Sequence, residues 1–172
     1  MFISAGKNEI FDFAYPIGVG LIESAINLTK IILFNRPKKI IFIGSAGSYG
    51  REKIFNIIES SAAANIEHCM LKKECYTPIE NIIVSRETKI VNSSNYITSS
   101  KSVADKFLKF GFDLENMEFF SVLKVAMEFN IEVKGIFVVT NYCFENAHYE
   151  YDNNIKKAKK LLEEFIKEKY WK

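Results

Sequence analysis

Glu118 is the side chain with the most chemistry to offer. It closes the triplet Asn116-Met117-Glu118. A carboxylate beside a soft thioether can accept hydrogen bonds from paired hydroxyls and face a developing positive charge. The same pair also reads as a helix-start Glu favoured by the dipole, next to a core Met. Thr140-Asn141 ends an apolar run. The Asn141 carboxamide can donate a hydrogen bond but cannot transfer a proton at neutral pH. Its alternative is a strand-end Asn taking a turn. In Gly44-Ser45-Ala46-Gly47 the two glycines allow close backbone approach to a ligand, or make an ordinary strand-to-loop turn. Tyr96, followed by Ile97, offers a ring for stacking or is a half-buried tyrosine.

Other chemistries find less support. The 44–50 loop lacks the Lys of a Walker motif. Ser45 and Ser48 have no partner His placed by sequence, so a hydrolase triad is unsupported. His68 and His148 share no metal-ligand spacing. His68 reads as a sheet or surface residue, while His148 follows the Asn141 strand and could approach a substrate edge or a neighbouring subunit. Arg36, Arg51 and Arg86 are the only arginines, which leaves few guanidinium forks for gripping phosphates. Arg51 and Arg86 read as solvated loop residues.

The elements that must position these residues follow from periodicity and punctuation. Residues 1–16 read as two short strands around a polar turn at Lys7-Asn8-Glu9, a hairpin. A helix runs to about Phe34, with Leu21, Ile22, Ala25, Leu28 and Ile32 on its inner face, and ends at Asn35-Arg36-Pro37. Lys39–Gly44 and Gly135–Thr140 are apolar runs of the kind found in parallel strands buried on both faces. Residues 53–59 and 65–71 read as further strands, and 82–84 and 88–92 as shorter ones. Ser99 or Ser100 caps a helix that ends at Gly111. Another helix spans about 117–130, with Phe119, Phe120, Leu123, Ala126 and Met127 inward and Ser121 outward. The last spans about 153–170. Together these elements predict an α/β fold of three layers, a mixed central sheet with helices on both faces. Ligands of such sheets bind beyond the carboxyl ends of the strands, at 44–50, 116–118 and 140–146.

The chain has 172 residues, 48% of them hydrophobic, enough to bury a sizeable core within one domain spanning 1–172. Its 23 basic and 21 acidic groups leave +2, too weak a field to argue for nucleic acid or an anionic membrane. No apolar run reaches the ~18–20 residues of a membrane span, and the first residues carry no signal-peptide pattern. Cys69, Cys75 and Cys143 make an odd count without a CxxC pair. That suits a reducing cytoplasm and argues against a disulfide framework or a zinc site.

Taken in order, five stretches resemble the purine nucleoside phosphorylase and methylthioadenosine nucleosidase family. They are Ile17-Gly-Val-Gly20, Ile43-Gly-Ser-Ala-Gly47, Ser94-Asn-Tyr96-Ile97, Asn116-Met117-Glu118 and Val139-Thr140-Asn141. The resemblance covers roughly residues 10–170 and implies a nucleoside phosphorylase-like fold. It implies cleavage of a purine nucleoside at the N-ribosidic bond, by phosphorolysis or hydrolysis. Glu118 and Met117 would hold ribose, and Asn141 would bind the base. Tyr96 would stack on the base, Ile97 would offer backbone contacts, and Ser45, Ala46 and Gly47 would shape the pocket. No metal or organic cofactor is implied; phosphate would be a co-substrate of a phosphorylase. Family members are homo-oligomers. Two departures from the family pattern matter. A strand, loop and helix that relatives carry ahead of this start are expected to be missing, and with them the acid that activates water. Phe42 and Ile43 also stand where phosphorylases place an Arg. A non-catalytic nucleoside- or purine-binding protein is therefore the alternative. Asn141 follows the family branch that prefers 6-oxopurines, where members acting on adenine have Asp.

Overall fold

The computed structural model describes residues 1–84 and 89–171; Arg86 lies outside them. Among the described residues nine strands form one sheet: β1 (Phe2–Ser4), β2 (Tyr15–Pro16), β3 (Lys39–Ser48), β4 (Ile57–Ser60), β5 (Ala62–Ala64), β6 (Ile82–Ile83), β7 (Ile90–Asn92), β8 (Phe112–Glu115) and β9 (Glu132–Tyr142). The helices are α1 (Leu21–Asn35), α2 (His68–Leu71), α3 (Lys101–Lys109), α4 (Phe119–Glu128) and α5 (Ala147–Tyr170), with a 3-10 turn at Lys7–Glu9.

β3 is the axis. One edge pairs with β9 in parallel along its whole length; the other pairs with β1 in parallel and then, at Gly47 and Ser48, with β8 antiparallel. Alternate residues of β3 and β9 feed two cores. Ile40, Phe42, Phe137 and Val139 pack under α1 and α4. Ile41, Ile43, Ile136 and Val138 pack under Ala158, Leu162 and Ile166 of α5. The three-layer α/β arrangement expected from the apolar runs is therefore present.

Several local expectations are corrected. Residues 1–16 are not a hairpin. β1 and β2 run parallel, and the polar turn is a turn of 3-10 helix inside their crossover. Ile3 and Ser4 are both buried, the mark of a strand enclosed between β2 and β3 rather than half-exposed. β3 runs on through Ser48, bulging between Ala46 and Gly47, so the expected loop begins later. Of 53–59 only the end is strand, and 65–71 holds the short helix α2. The neighbouring strand β5 is Ala-Ala-Ala, fully buried, where small side chains win over low β-propensity. β8 was not anticipated, because Asp113 and Glu115 disguise a strand that is buried throughout. α5 starts six residues early.

Inner faces shift too. Ile22 is 69% exposed and Ser24 buried, and in α4 Ser121 is buried and Met127 outward. Ser121 Oγ donates to the Leu21 carbonyl, 2.8 Å, joining α4 to the start of α1. Cys69 and Cys75 are disulfide-bonded, against expectation, while Cys143 is free and buried. Their loop is closed by the α2 turn, which brings residues six apart into reach.

Candidate active site

The carboxyl ends of β1, β3 and β9 lie at one edge of the sheet because these strands are parallel. A cavity of about 270 Å³ opens there. Glu118, Met117, Asn141, Ile97 and the Ser45–Gly47 segment all border it, so all but one of the site residues expected from sequence come together. The exception is Tyr96, which is 77% exposed and borders a second cavity of about 260 Å³ beyond Ile97. Its loop is pinned at both ends, which turns the ring outward. The Tyr96 N–H donates to Ser94 Oγ (3.1 Å) and the Thr98 N–H to Glu115 Oε1 (2.7 Å). In this chain Tyr96 does not reach the main cavity.

Glu118 is 3% exposed. It stands at the start of α4 without capping it. That task falls to Asn116, whose Oδ1 accepts the N–H groups of Glu118 and Phe119, both 2.9 Å. Asn116 in turn donates to the Ser45 carbonyl, 3.0 Å, tying the α4 start to β3. The Glu118 carboxylate crosses to α1 and accepts the Gly20 N–H at 2.9 Å. Burial, and after it the charge of Glu9, pushes its pKa up to about 8.

Glu9 was hidden in the expected hairpin turn. Its carboxylate accepts the Ser45 N–H and Ser45 Oγ–H, each at 2.6 Å. Burial pushes its pKa up and the two Ser45 bonds pull it down. The approach requires Gly44: a Cβ there would stand 3.0 Å from Glu9 Oε2. A Cβ on Gly47 would stand 2.7 Å from Cys143 Sγ and 3.1 Å from Asn141 Nδ2. Both glycines thus admit the protein's own side chains. Tyr151, from the first turns of α5, also borders the cavity, and burial followed by the charge of Glu9 pushes its hydroxyl up to about 12. His148 lies on the rim and pairs with Asp152 at 3.3 Å.

Asn141 Oδ1 accepts the Thr140 hydroxyl at 2.8 Å and Nδ2 donates to the Tyr142 carbonyl at 3.1 Å. A third carboxylate on the lining, the buried Glu115, borders both cavities. It too went unnoticed in the sequence, for want of the strand that carries it. Among the described residues no three His, Cys, Asp or Glu side chains converge to hold a metal ion. Arg51, away from the cavity lining, pairs with the buried Asp113 at 2.5 Å.

The fold is that of nucleosidases. The native futalosine hydrolase of Helicobacter pylori superposes with a TM-score of 0.80 at 16% identity, over 96% of this chain and 94% of that one. A Helicobacter pylori MTA nucleosidase variant with 5'-methylthioadenosine in its active site gives 0.78 at 17%, over 90% and 78%. A putative 5'-methylthioadenosine/S-adenosylhomocysteine nucleosidase of Francisella philomiragia gives 0.75 at 12%, over 96% of each. No family model and no curated protein matches the sequence.

Proposed function

We propose that this protein hydrolyses the N-ribosidic bond of purine nucleosides. The observation that carries the reading is the pair Glu9 and Glu118, two carboxylates in one cavity, the charge of Glu9 adding to burial in raising the proton affinity of Glu118, with Asn141 on the same lining. As the bond from C1' to the base lengthens, its electron pair moves into the purine and positive charge grows on ribose. Glu118 holds the ribose hydroxyls, with Met117 against the sugar, and in its ionised form, which gains weight as pH rises through about 8, it faces that charge. Asn141 steadies the base by a hydrogen bond, and Ile97 offers it backbone contacts. Glu9 takes a proton from water as the water oxygen bonds to C1'. The departing base collects one proton, and Glu9 returns its own to solvent. No cofactor is needed.

Water is favoured over phosphate as the acceptor. A phosphate dianion would enter beside two carboxylates, with Phe42 and Ile43 where a phosphorylase has Arg. The names of the structural neighbours agree with hydrolysis. The non-catalytic alternative draws on Asn141, which cannot pass a proton to the base.

The test is free base released from inosine, guanosine, adenosine and methylthioadenosine, with and without phosphate, compared with Glu9→Gln and Glu118→Gln. Release without phosphate that depends on both carboxylates is expected. Release only with phosphate overturns hydrolysis, and none above the variants means a binding protein. The reading also includes a homo-oligomer. The outer face of α1 leaves Ile22, Ile26, Leu33 and Phe34 exposed, an apolar stripe suited to a second copy. Sedimentation of Ile26→Glu against the wild type checks it. No helix among the described residues is long and apolar enough to cross a membrane. The Cys69–Cys75 disulfide takes away the cysteine argument for a reducing compartment, and we place the reaction in the cytoplasm on the purine substrate alone.

A further inference from the structure

The Cys69–Cys75 disulfide closes the short segment Cys-Met-Leu-Lys-Lys-Glu-Cys. Cys75 is exposed, and both cysteines border a small cavity of about 160 Å³, so a thiol can reach the bond. Two lysines against one glutamate within the segment favour the thiolates that reduction produces. In the cytoplasm, where we place the reaction, a disulfide persists chiefly as part of a redox cycle. Exposed disulfides are the labile ones.

The segment is held at a cost. Lys73 sits at φ 60°, a left-handed conformation that L side chains rarely adopt. His68 Nε2 is buried with no hydrogen-bond partner among the described residues. α2 has four residues, too few to sustain a helix on their own. Met70 and Leu71 pack against the cluster of Tyr49, Ala104 and Phe107, and Asn81 Nδ2 reaches Met70 Sδ at 3.5 Å. The disulfide adds the covalent tie.

The same stretch of chain holds the wall between the two larger cavities. Asn65 Nδ2 donates to the Ser93 carbonyl at 2.7 Å. Glu67, the residue before α2, accepts the Ser94 hydroxyl between its two oxygens, at 3.3 and 3.4 Å. Ser94 Oγ in turn accepts the Tyr96 N–H. Ile97, next along, borders both cavities. A line of contacts thus runs from the disulfide through α2 and Glu67 to the wall. Its weakest links are the two long Ser94 bonds, and movement of α2 breaks them first.

We propose that Cys69 and Cys75 form a reversible redox site that exchanges with a dithiol and sets the order of the 94–98 wall. A thiolate of the reductant attacks the Cys75 sulfur. The bond between the two protein sulfurs breaks, and Cys69 leaves with the electron pair and takes a proton. The second thiol of the reductant attacks the mixed disulfide and releases Cys75 as a thiol. The protein gains two electrons and two protons, and the reductant becomes a cyclic disulfide. With the tie cut, Lys73 relaxes, His68 meets water and Glu67 lets go of Ser94. A loosened wall must be ordered again when a ligand binds, which weakens binding. That last step rests on the reading of the main cavity as the nucleoside site; the exchange and the loosening do not.

The experiment compares the wild type oxidised by glutathione disulfide with the same protein reduced by dithiothreitol. Alkylation of the folded protein should label two thiols after reduction, since Cys143 is buried. Hydrogen exchange across 66–74 and 93–98 should quicken by about tenfold or more, the order that closing so short a loop supplies, and slow again on reoxidation. The KM for the nucleoside that is cleaved should rise by about two- to tenfold on reduction, the cost of ordering one side chain, with kcat nearly unchanged. Cys75→Ser should match the reduced wild type and ignore both reagents; Cys69→Ser serves if that variant does not fold. A bond that dithiothreitol leaves intact in the folded protein, exchange at 93–98 that ignores reduction, or a KM that ignores it overturns the inference. Base release with no redox response sinks this inference and spares the hydrolase. A reversible change in exchange without base release does the reverse.

Discussion

Glu118 should cost the protein stability as pH rises from about 4.5 to about 8, and Glu118→Gln should return it. The unfolded carboxyl titrates near 4.5 and the folded one near 8. Below the lower value the group is neutral in both states and costs nothing. As pH rises from there to about 8, the unfolded chain sheds the proton while the folded chain keeps it, so stability falls across that window and then levels off. At about 1.36 kcal/mol for each pH unit between the two values, the whole window corresponds to about 5 kcal/mol. The Gly20 N–H and the positive end of α1 favour the charged form, so a smaller return is expected. The Gln variant should be more stable than the wild type by about 2–4 kcal/mol at pH 8.5 and by less than about 1 kcal/mol at pH 5. That gain raises the melting temperature at pH 8.5 by on the order of 5–10 °C for a chain of this size. Urea and thermal unfolding at the two pH values measure it. A Gln variant that is less stable at pH 8.5, or a difference that does not change with pH, refutes the reasoning.

Three further outcomes are expected. Gly44→Ala puts a methyl group 3.0 Å from Glu9 Oε2 and 3.2 Å from the Phe42 ring. It should lower base release by about tenfold or more, as misplacement of a reacting group does, while circular dichroism stays native. Asn141→Asp supplies an acid where the amide can only donate. It should move the kcat/KM ratio toward adenosine and away from inosine by about 10–100-fold, the range of general acid assistance. Among the described residues, Arg51→Ala leaves the buried Asp113 with the Ile90 N–H at 3.3 Å as its remaining donor. Thermal unfolding should show a loss of about 1–2 kcal/mol, discounted because Arg51 is half exposed.

The long apolar runs made the architecture legible. Lys39–Gly44 and Gly135–Thr140 read as enclosed strands and pointed to 44–50, 116–118 and 140–146 as the ligand edge, where 45–47, 116–118 and 141 line one cavity. What failed were segments whose composition contradicts their burial. Ala62–Ala64 has no β-branched residue, and Phe112–Glu115 carries two acids. Each is accepted by its surroundings: the alanines by close packing, Asp113 by Arg51, Glu115 by Thr98 and Tyr49. Such compensation comes from distant residues, and local pattern does not carry it. Tyr96 failed differently. An aromatic at the right place in the chain does not fix its rotamer, and the bonds that turn this one outward belong to its loop ends.

Glu9 is the most instructive case, because the resemblance implied that the water-activating acid was lost with a missing front segment. A short strand followed by a polar turn and another short strand reads equally as a hairpin or as two parallel strands with a crossover. Only the second brings the turn to the ligand edge of the sheet. Once there, Glu9 occupies the Ser45 N–H and Oγ–H, and Gly44 stands aside for it. A loop with the look of an anion cradle therefore holds an anion that belongs to the chain itself. A phosphate would have to compete for the same two donors against a tethered carboxylate while being repelled by its charge. On the proposed hydrolysis the choice between water and phosphate would rest on one side chain: Glu9 fills the cradle and would supply the base that water needs. Glu9→Gln accordingly has to remove hydrolysis without creating phosphorolysis, since the Gln side chain still occupies Ser45 and brings no cation.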